Sequence, residues 1–482
     1  MSSIRKNYVY QVLYQILLII TPLITSPYLS RTLGANGIGT YSYAYSIVYY
    51  FSLFVLLGVN NHGTREIAKY RENKEKMSQV FWSIYTVQFM MGILLSILYL
   101  LFVFVIQKAN VYSEILIIYL ISAALDINWF YFGLEKFRLT VIRNTIVKIM
   151  TVLCIFIFVH NKTDLWIYTL IMSLSSLLSQ LVLWPIAIKE VDKIDINFRS
   201  VVDNIKPLLI LFVPILAASI FKYMDKIMLG LMSTKDELGL YDNAEKIMNM
   251  PLGFITSVGM VMLPRISNLQ TKEVSDERNL VYIKMSLKYT MLMASGVAFG
   301  LAGVGKEFAP WFWGAEFSKS GYVLMVIAFA ILFFPLSNTV RMQYLIPKHK
   351  DSVFLRGTIY SAIINLIINL SLIRKYAAIG TAIGTVIAEL VLALYQAYKI
   401  RKEIKIFDYL KRTYIYVLSG AIMYVVVRIC AMYMKSLIGN ISWICEVAVG
   451  LIVYALLVVI FEKIFYKNNI IREMLQLLGI NH

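Results

Sequence analysis

The chain has 482 residues, 59% of them hydrophobic and only 15% charged, with a mean hydropathy of +0.70. No soluble domain could solvate that much apolar surface, so the composition excludes one and points to an all-α integral membrane protein. The net charge of +18 suits basic segments facing an anionic inner leaflet and gives no reason to expect nucleic acid as a partner.

A spanning helix needs about 20 mostly apolar residues. Fourteen segments qualify, at roughly 8–30, 39–61, 78–106, 114–134, 141–160, 164–188, 207–232, 238–262, 282–305, 320–346, 353–373, 377–398, 413–434 and 441–465. The first is expected to stay as a span: it is too long for a signal peptide, lacks a small-residue cleavage site and turns straight into the second. It ends at Arg31, which either makes bidentate contacts with a phosphate or reaches up to outer lipid headgroups. In the second span Ser42, Tyr45, Ser46 and Tyr49 share one helical face, where hydroxyls and rings suit sugars as well as packing. Asp126, in the fourth span, and Glu389, in the twelfth, are carboxylates expected near mid-helix. Each either binds a coupling proton or sodium ion or sits as a neutral acid in a dry interface.

The seventh span carries Lys222, Asp225 and Lys226, and one face of the eighth reads Asp242, Glu245, Lys246 and Asn249. A charge at the bilayer centre costs roughly 2.5 to 3.5 kcal/mol, so six of them facing lipid would cost about 15 to 20 kcal/mol. They are therefore expected inside the protein. Three accounts are open: ion pairs that tie the seventh helix to the eighth, lysines that bind an anionic headgroup while Asp225, Asp242 and Glu245 compete for them and gate the cycle, or partial snorkelling to the outer surface. Arg341, in the tenth span beside Gln343, is placed either at the cytoplasmic mouth of a cleft or as an inner anchor. Lys148 and Lys288 are expected to snorkel to the inner surface, and Arg428 to pair with Glu446 on the last two helices.

Orientation follows from the basic residues. With the N-terminus inside, 30 Lys and Arg fall in or beside inner segments and nine in outer loops, which puts both termini in the cytoplasm. The loops run to fewer than about twenty residues, too short for a catalytic domain. No catalytic residues are therefore expected, and the chain is not read as an enzyme. No GxxxxGK[ST] loop is present, so energy must come from an ion gradient, the membrane potential or the cargo gradient. Cys154, Cys430 and Cys445 are isolated and His62, His160, His349 and His482 form no ligand spacing with them. No disulfide, metal site or cofactor is expected.

Gly39, Tyr41, Ala44, Ile47, Phe54 and Arg65 recur as Gly239, Tyr241, Ala244, Ile247, Phe254 and Arg265, 200 positions later and without a gap. The two glycines open helices six spans apart, hence in the same direction, which marks a parallel repeat. The expected architecture is two six-helix lobes, 1–188 and 207–398, around a central cleft. A polar cytoplasmic linker, 189–206, joins them, and 399–482 supplies the extra helices 13 and 14 and a cytoplasmic tail. Such a duplicated bundle reads as an alternating-access transporter.

The stretches Pro22 to Arg31, Arg31-Thr-Leu-Gly34-Ala-Asn-Gly37-Ile-Gly39-Thr-Tyr41-Ser-Tyr-Ala44, Leu57-Gly58-Val59 and Arg65-Glu66-Ile67-Ala68 together resemble the Wzx-type polysaccharide flippases. Met224-Asp225-Lys226-Ile-Met-Leu-Gly230, Gly239-Leu-Tyr241 and Pro264-Arg265-Ile266-Ser267 extend the likeness over essentially the whole chain. The resemblance implies the multidrug, oligosaccharidyl-lipid and polysaccharide exporter superfamily, acting in the bacterial cytoplasmic membrane as a monomer. It implies as cargo an undecaprenyl-pyrophosphate-linked oligosaccharide for capsule, exopolysaccharide or teichoic-acid assembly. A coupling proton or sodium ion, membrane lipids and other polysaccharide-assembly proteins are its expected partners. On this reading Arg31, Lys222, Lys226, Lys246 and Arg341 attract pyrophosphate, while Ser42, Tyr45, Ser46, Tyr49 and Asn249 accompany the sugars. An ion-coupled multidrug exporter and a lipid II flippase are the alternatives within the superfamily.

Overall fold

The computed structural model describes residues 2–194, 197–270, 276–439 and 442–466, with side chains from 17 onward except 19, 221–222, 254, 257–279, 281–282 and 435–438. Helix accounts for nearly all of this, and no strand occurs among the described residues. In a bilayer that is the economical solution, because an α-helix satisfies its own backbone polar groups where water is absent. Ten described helical segments are long and apolar enough to cross a membrane, eleven with the bent pair 315–345 taken as one span.

Two of those segments, Ile20–Tyr70 and Asp351–Ile400, run to 51 and 50 residues, about twice what a bilayer requires. Each is broken. Gly34 has φ 71° and ψ 176°, a conformation open to glycine and costly for a residue with a Cβ. At the second break Ala377 stands at φ 48° and ψ −123°, so the chain there holds strain of about 1–3 kcal/mol. Ala377→Gly is accordingly expected to stabilise the protein by about 1 kcal/mol, measured as a raised melting temperature in detergent; an unchanged or lowered value would refute the strain.

The chain forms two compact units, 1–239 and 240–482. In the first, α1 (Ser2–Leu56) is followed by α2 (Val59–Tyr70) and α3 (Lys74–Val105). The short helices α4 (Val111–Ile115), α5 (Ile117–Ala124) and α6 (Asn128–Gly133) make one interrupted span, before α7 (Phe137–Phe158), α8 (Leu165–Leu181), α9 (Trp184–Glu190) and α10 (Phe198–Met232). Its core is aromatic: Phe81 of α3 packs among Trp129 and Phe130 of α6 and Trp184 of α9. Because lipid is as apolar as leucine, such packing and buried hydrogen bonds hold the helices together. The Trp129 indole donates to Gln88 Oε1 at 3.2 Å, and the Tyr131 hydroxyl to the Leu183 carbonyl at 2.8 Å. Helix α10, assigned by the sequence repeat to the second lobe, packs here against α1, α2 and α3.

The second unit holds most of α11 (Lys235–Gln270), then α12 (Asp276–Trp313), α13 (Ser318–Ile327), α14 (Ala330–Val340) and a π-helical turn, Arg341–Leu345. Helix α15 (Asp351–Ile400) doubles back at Ala377, so that the Ser361 hydroxyl reaches the Ala388 carbonyl 27 residues on. After α16 (Ile406–Lys411) come α17 (Tyr414–Ile438) and α18 (Ser442–Tyr466). All fourteen expected spans are helical. In α11 the first half carries Asp236, Glu237, Asp242, Glu245 and Lys246.

Two largely buried ion pairs link the last helices to α12. Arg428 makes a bidentate contact with Glu307, at 2.6 and 3.2 Å, and donates to the Gly303 carbonyl at 2.8 Å. Its expected pairing with Glu446 is therefore not what forms. At the opposite end of α12, Lys288 lies 3.4 Å from Glu462, which also accepts a hydrogen bond from Tyr416. Lys288 does not snorkel: Glu462 is 2% exposed and offers a charge inside the bundle.

Candidate functional site

Within the first unit, the predicted sugar-binding face of α1 forms a ladder of rings. Tyr41, Tyr45 and Tyr49 recur every fourth residue, so successive rings stack along one side of the helix, 5.7 and 6.2 Å apart. Tyr223 of α10 lies over Tyr49 with centroids 3.9 Å apart, and Tyr119 and Tyr168 close the sides. The Tyr45 and Tyr119 hydroxyls meet at 3.2 Å. Ser42 and Ser46 lie behind the ladder: both are buried, and the Ser46 hydroxyl donates to the Ser42 carbonyl at 2.7 Å.

Helix α10 brings charge to the same place. Tyr50, next to the ladder, donates to the Ser219 carbonyl at 3.2 Å and lies within electrostatic reach of Asp225. Asp225 is 2% exposed and Lys226, the next residue, is half-buried. The ring face and the charged face, separate in sequence, thus meet in one unit. The side chain of Lys222 lies outside the described residues. Arg31 is exposed.

The remaining predicted residues are placed as follows. Lys246 pairs with Asp242 one turn earlier on the same helix at 2.6 Å, a contact within the eighth span rather than a tie to the seventh. Glu245 is buried and Asn249 exposed. Arg341 begins the π-helical turn, its guanidinium 4.0 Å above the Phe354 ring. Glu389 Oε2 has no hydrogen-bond partner among the described residues. Asp126 proves not to be mid-helix: α5 ends at Ala124 and α6 begins at Asn128. One Asp126 oxygen accepts from the Asn128 backbone N–H at 2.8 Å and its side-chain amide at 2.7 Å, closing the turn that leads into the new helix. Arg143, which sequence reading did not single out, is buried beside it and donates to Asn128 at 2.8 Å.

A separate contact concerns the repeat. A Cβ on Gly39 would stand 1.7 Å from the Lys235 carbonyl oxygen and 2.8 Å from the Gly239 nitrogen. One on Gly239 would stand 2.0 Å from the Ala35 carbonyl oxygen. The crossing is reciprocal, 35 against 239 and 39 against 235, as between two copies of one segment related by a two-fold. Asn36 and Asp236, also equivalent, join across it at 2.9 Å. Beside them the Lys235 ammonium donates to the Gly230 carbonyl at 2.8 Å and lies 3.1 Å above the Tyr43 ring. Burial lowers this lysine to about 8. Only the glycines of this crossing were visible in the sequence.

Comparison with known proteins follows the same lines. A protein of Escherichia coli (strain K12) that bears the name of an O-antigen transporter is 24% identical over 388 residues, 78% of this chain and 92% of its own. A Haloferax volcanii protein named as a low-salt glycan biosynthesis flippase is 24% identical over 160 residues, 33% of this chain and 34% of its own. Among solved structures, the lipid II flippase MurJ in an inward closed conformation superposes with a TM-score of 0.76 at 19% identity, covering 95% of this chain and 98% of that one. The backbone is therefore that of the MurJ fold. The model of the polysaccharide biosynthesis protein family matches residues 4–270, more than half of the chain. With the helical plan, the repeat and these matches together, the chain belongs to the polysaccharide biosynthesis protein family.

Proposed function

We propose that this protein is a flippase that moves polyprenyl-pyrophosphate-linked oligosaccharide units from the inner to the outer leaflet of the bacterial cytoplasmic membrane for cell-surface polysaccharide synthesis. The observation that carries the reading is the near full-length match to a relative named as an O-antigen transporter, within a family whose description is polysaccharide biosynthesis. On this reading both termini lie in the cytoplasm.

The residues supply a chemistry for that task. A pyrophosphate carries concentrated negative charge, and Lys222, Lys226 and Lys246, with Arg31 and Arg341 towards the two surfaces, are the cations offered to it. Lys246 must leave Asp242 to reach cargo, so its pairing makes Asp242 a competitor that recaptures the lysine on release. The ladder of Tyr45, Tyr49 and Tyr223 offers ring faces and hydroxyls, the usual partners of sugar rings. The polyprenyl chain stays in lipid, because burying it in protein would gain nothing over the bilayer. Asp126, Asp225, Asp242, Glu245 and Glu389 are the carboxyls offered to a coupling proton or sodium ion.

The test is transfer of a fluorescent undecaprenyl-pyrophosphate oligosaccharide across proteoliposomes, read by an external enzyme that attacks the sugar. Transfer is expected to exceed that of protein-free vesicles at least tenfold and to fall to background when Lys222, Lys226 and Lys246 are all replaced by Gln. Full transfer by that variant would remove the basic site. No transfer of several glycans by the parent, with uptake of cationic dyes instead, would replace the cargo by a drug.

A further inference from the structure

One cluster stands apart from these residues, at the α12, α17 and α18 junction. Glu446 of α18 is 0% exposed, and neither carboxyl oxygen has a hydrogen-bond partner among the described residues. Its charged neighbours are Arg428 of α17 and Glu307 of α12, with Ser442 one turn back on its own helix. Arg428 has already committed both terminal nitrogens to Glu307 and one of them also to the Gly303 carbonyl. Two carboxylates thus face one guanidinium, and the guanidinium has chosen. With both acids ionised the cluster would hold one surplus negative charge in a bundle surrounded by lipid, an arrangement that costs several kcal/mol or draws in a compensating cation.

We propose that Glu446 is a proton-binding site, loaded and emptied from the outer side of the membrane. A proton suits this carboxyl better than a metal ion does, because one carboxyl and one serine hydroxyl fall short of the several oxygens a sodium ion needs. Access follows from position. Glu446 lies one turn from the start of α18 and Glu307 near the end of α12, the ends that the topology places outside. Above them the rings of Phe308 and Trp311 close on Trp443, at 5.5 and 4.5 Å. Loading neutralises the surplus charge and leaves Arg428 on Glu307. Emptying creates a second anion that competes with Glu307 for the same guanidinium, so proton occupancy sets which helix Arg428 holds to α17. The proton comes from outer water and returns there, with no other group changed. This binding stands whatever the cargo is; only a link between its occupancy and the transport cycle rests on the flippase reading.

The experiment needs no cargo. Thermal unfolding of the purified full-length protein in detergent is followed between pH 5 and 9, in the parent and in Glu446→Gln, the neutral isostere of the loaded acid. A site that binds its proton more tightly folded than unfolded contributes stability at low pH and loses it as pH rises. The parent is therefore expected to lose a few degrees more than Glu446→Gln across this range. Equal slopes would overturn the proposal. Should the variant fail to fold, Glu307→Gln provides the second reading: it frees Arg428 for Glu446, so the drop must move to lower pH, and an unmoved drop would overturn it. A rise in melting temperature with sodium over potassium at fixed pH, lost in Glu446→Gln, would replace the proton by sodium and also refute the proposal. If these outcomes hold while the oligosaccharide transfer fails, the proton site survives and the cargo assignment does not.

Discussion

Replacing Gly39 by valine is expected to abolish the crossing of residues 35–39 with 235–239. Its Cβ would enter the Lys235 carbonyl at 1.7 Å, a backbone atom that cannot rotate away as a side-chain end would. Overpacking of this kind costs about 1–3 kcal/mol and often more. The assay is a disulfide between Asn36→Cys and Asp236→Cys, in a background where Cys154, Cys430 and Cys445 are serine. The two parent side chains are hydrogen-bonded at 2.9 Å, so the cysteine pair should oxidise readily and lose at least about tenfold in yield once Gly39→Val is added. The cross-link alone is also expected to stop transport until a reductant is supplied. Transport by the fully oxidised pair would show that these segments need not separate during the cycle.

The second large effect belongs to the Arg428–Glu307 pair. Arg428→Met leaves Glu307 buried without its cation, a change that typically costs about 3–5 kcal/mol. Glu307→Leu added to it removes the stranded acid and should restore most of the loss, because two apolar side chains pack where a salt bridge stood. Equilibrium unfolding of the single and double variants in detergent decides the matter. If the double variant is as unstable as Arg428→Met, the pair contributes shape rather than charge compensation.

How much of this was legible depends on the distance over which each feature is encoded. Helices announce themselves by a run of about 20 apolar residues, and all fourteen could be read. The break at Gly34 had a local signal in glycine; the one at Ala377 had none, since an alanine held at positive φ is imposed by the surrounding hairpin. Lys246–Asp242 is an i, i+4 pair that helical geometry predicts. Arg428–Glu307 spans 121 positions, and nothing in either neighbourhood names the other. The tyrosines of α1 were found by their spacing, whereas Tyr223 joins the ladder only through the packing of α10. Asp126 misled because the apolar run around it looks continuous; the Asp-Ile-Asn sequence, an aspartate whose side chain can bond the backbone two residues on, was the clue to a turn. The position of Arg31, Lys222, Lys246 and Glu389 relative to cargo is a property of the transport cycle, which no local pattern records.

The two clamps on α12 also set a timetable for biogenesis. Glu307 is made 121 residues before Arg428, and Lys288 still longer before its partner Glu462. At ordinary synthesis rates each lone charge waits on the order of ten seconds for neutralisation. During that interval α12 is a poor lipid-facing helix, and it must stay in the insertion machinery or in a hydrated pocket rather than pass into the bilayer. A ribosome that stops before α17 therefore leaves a chain with both charges unmatched.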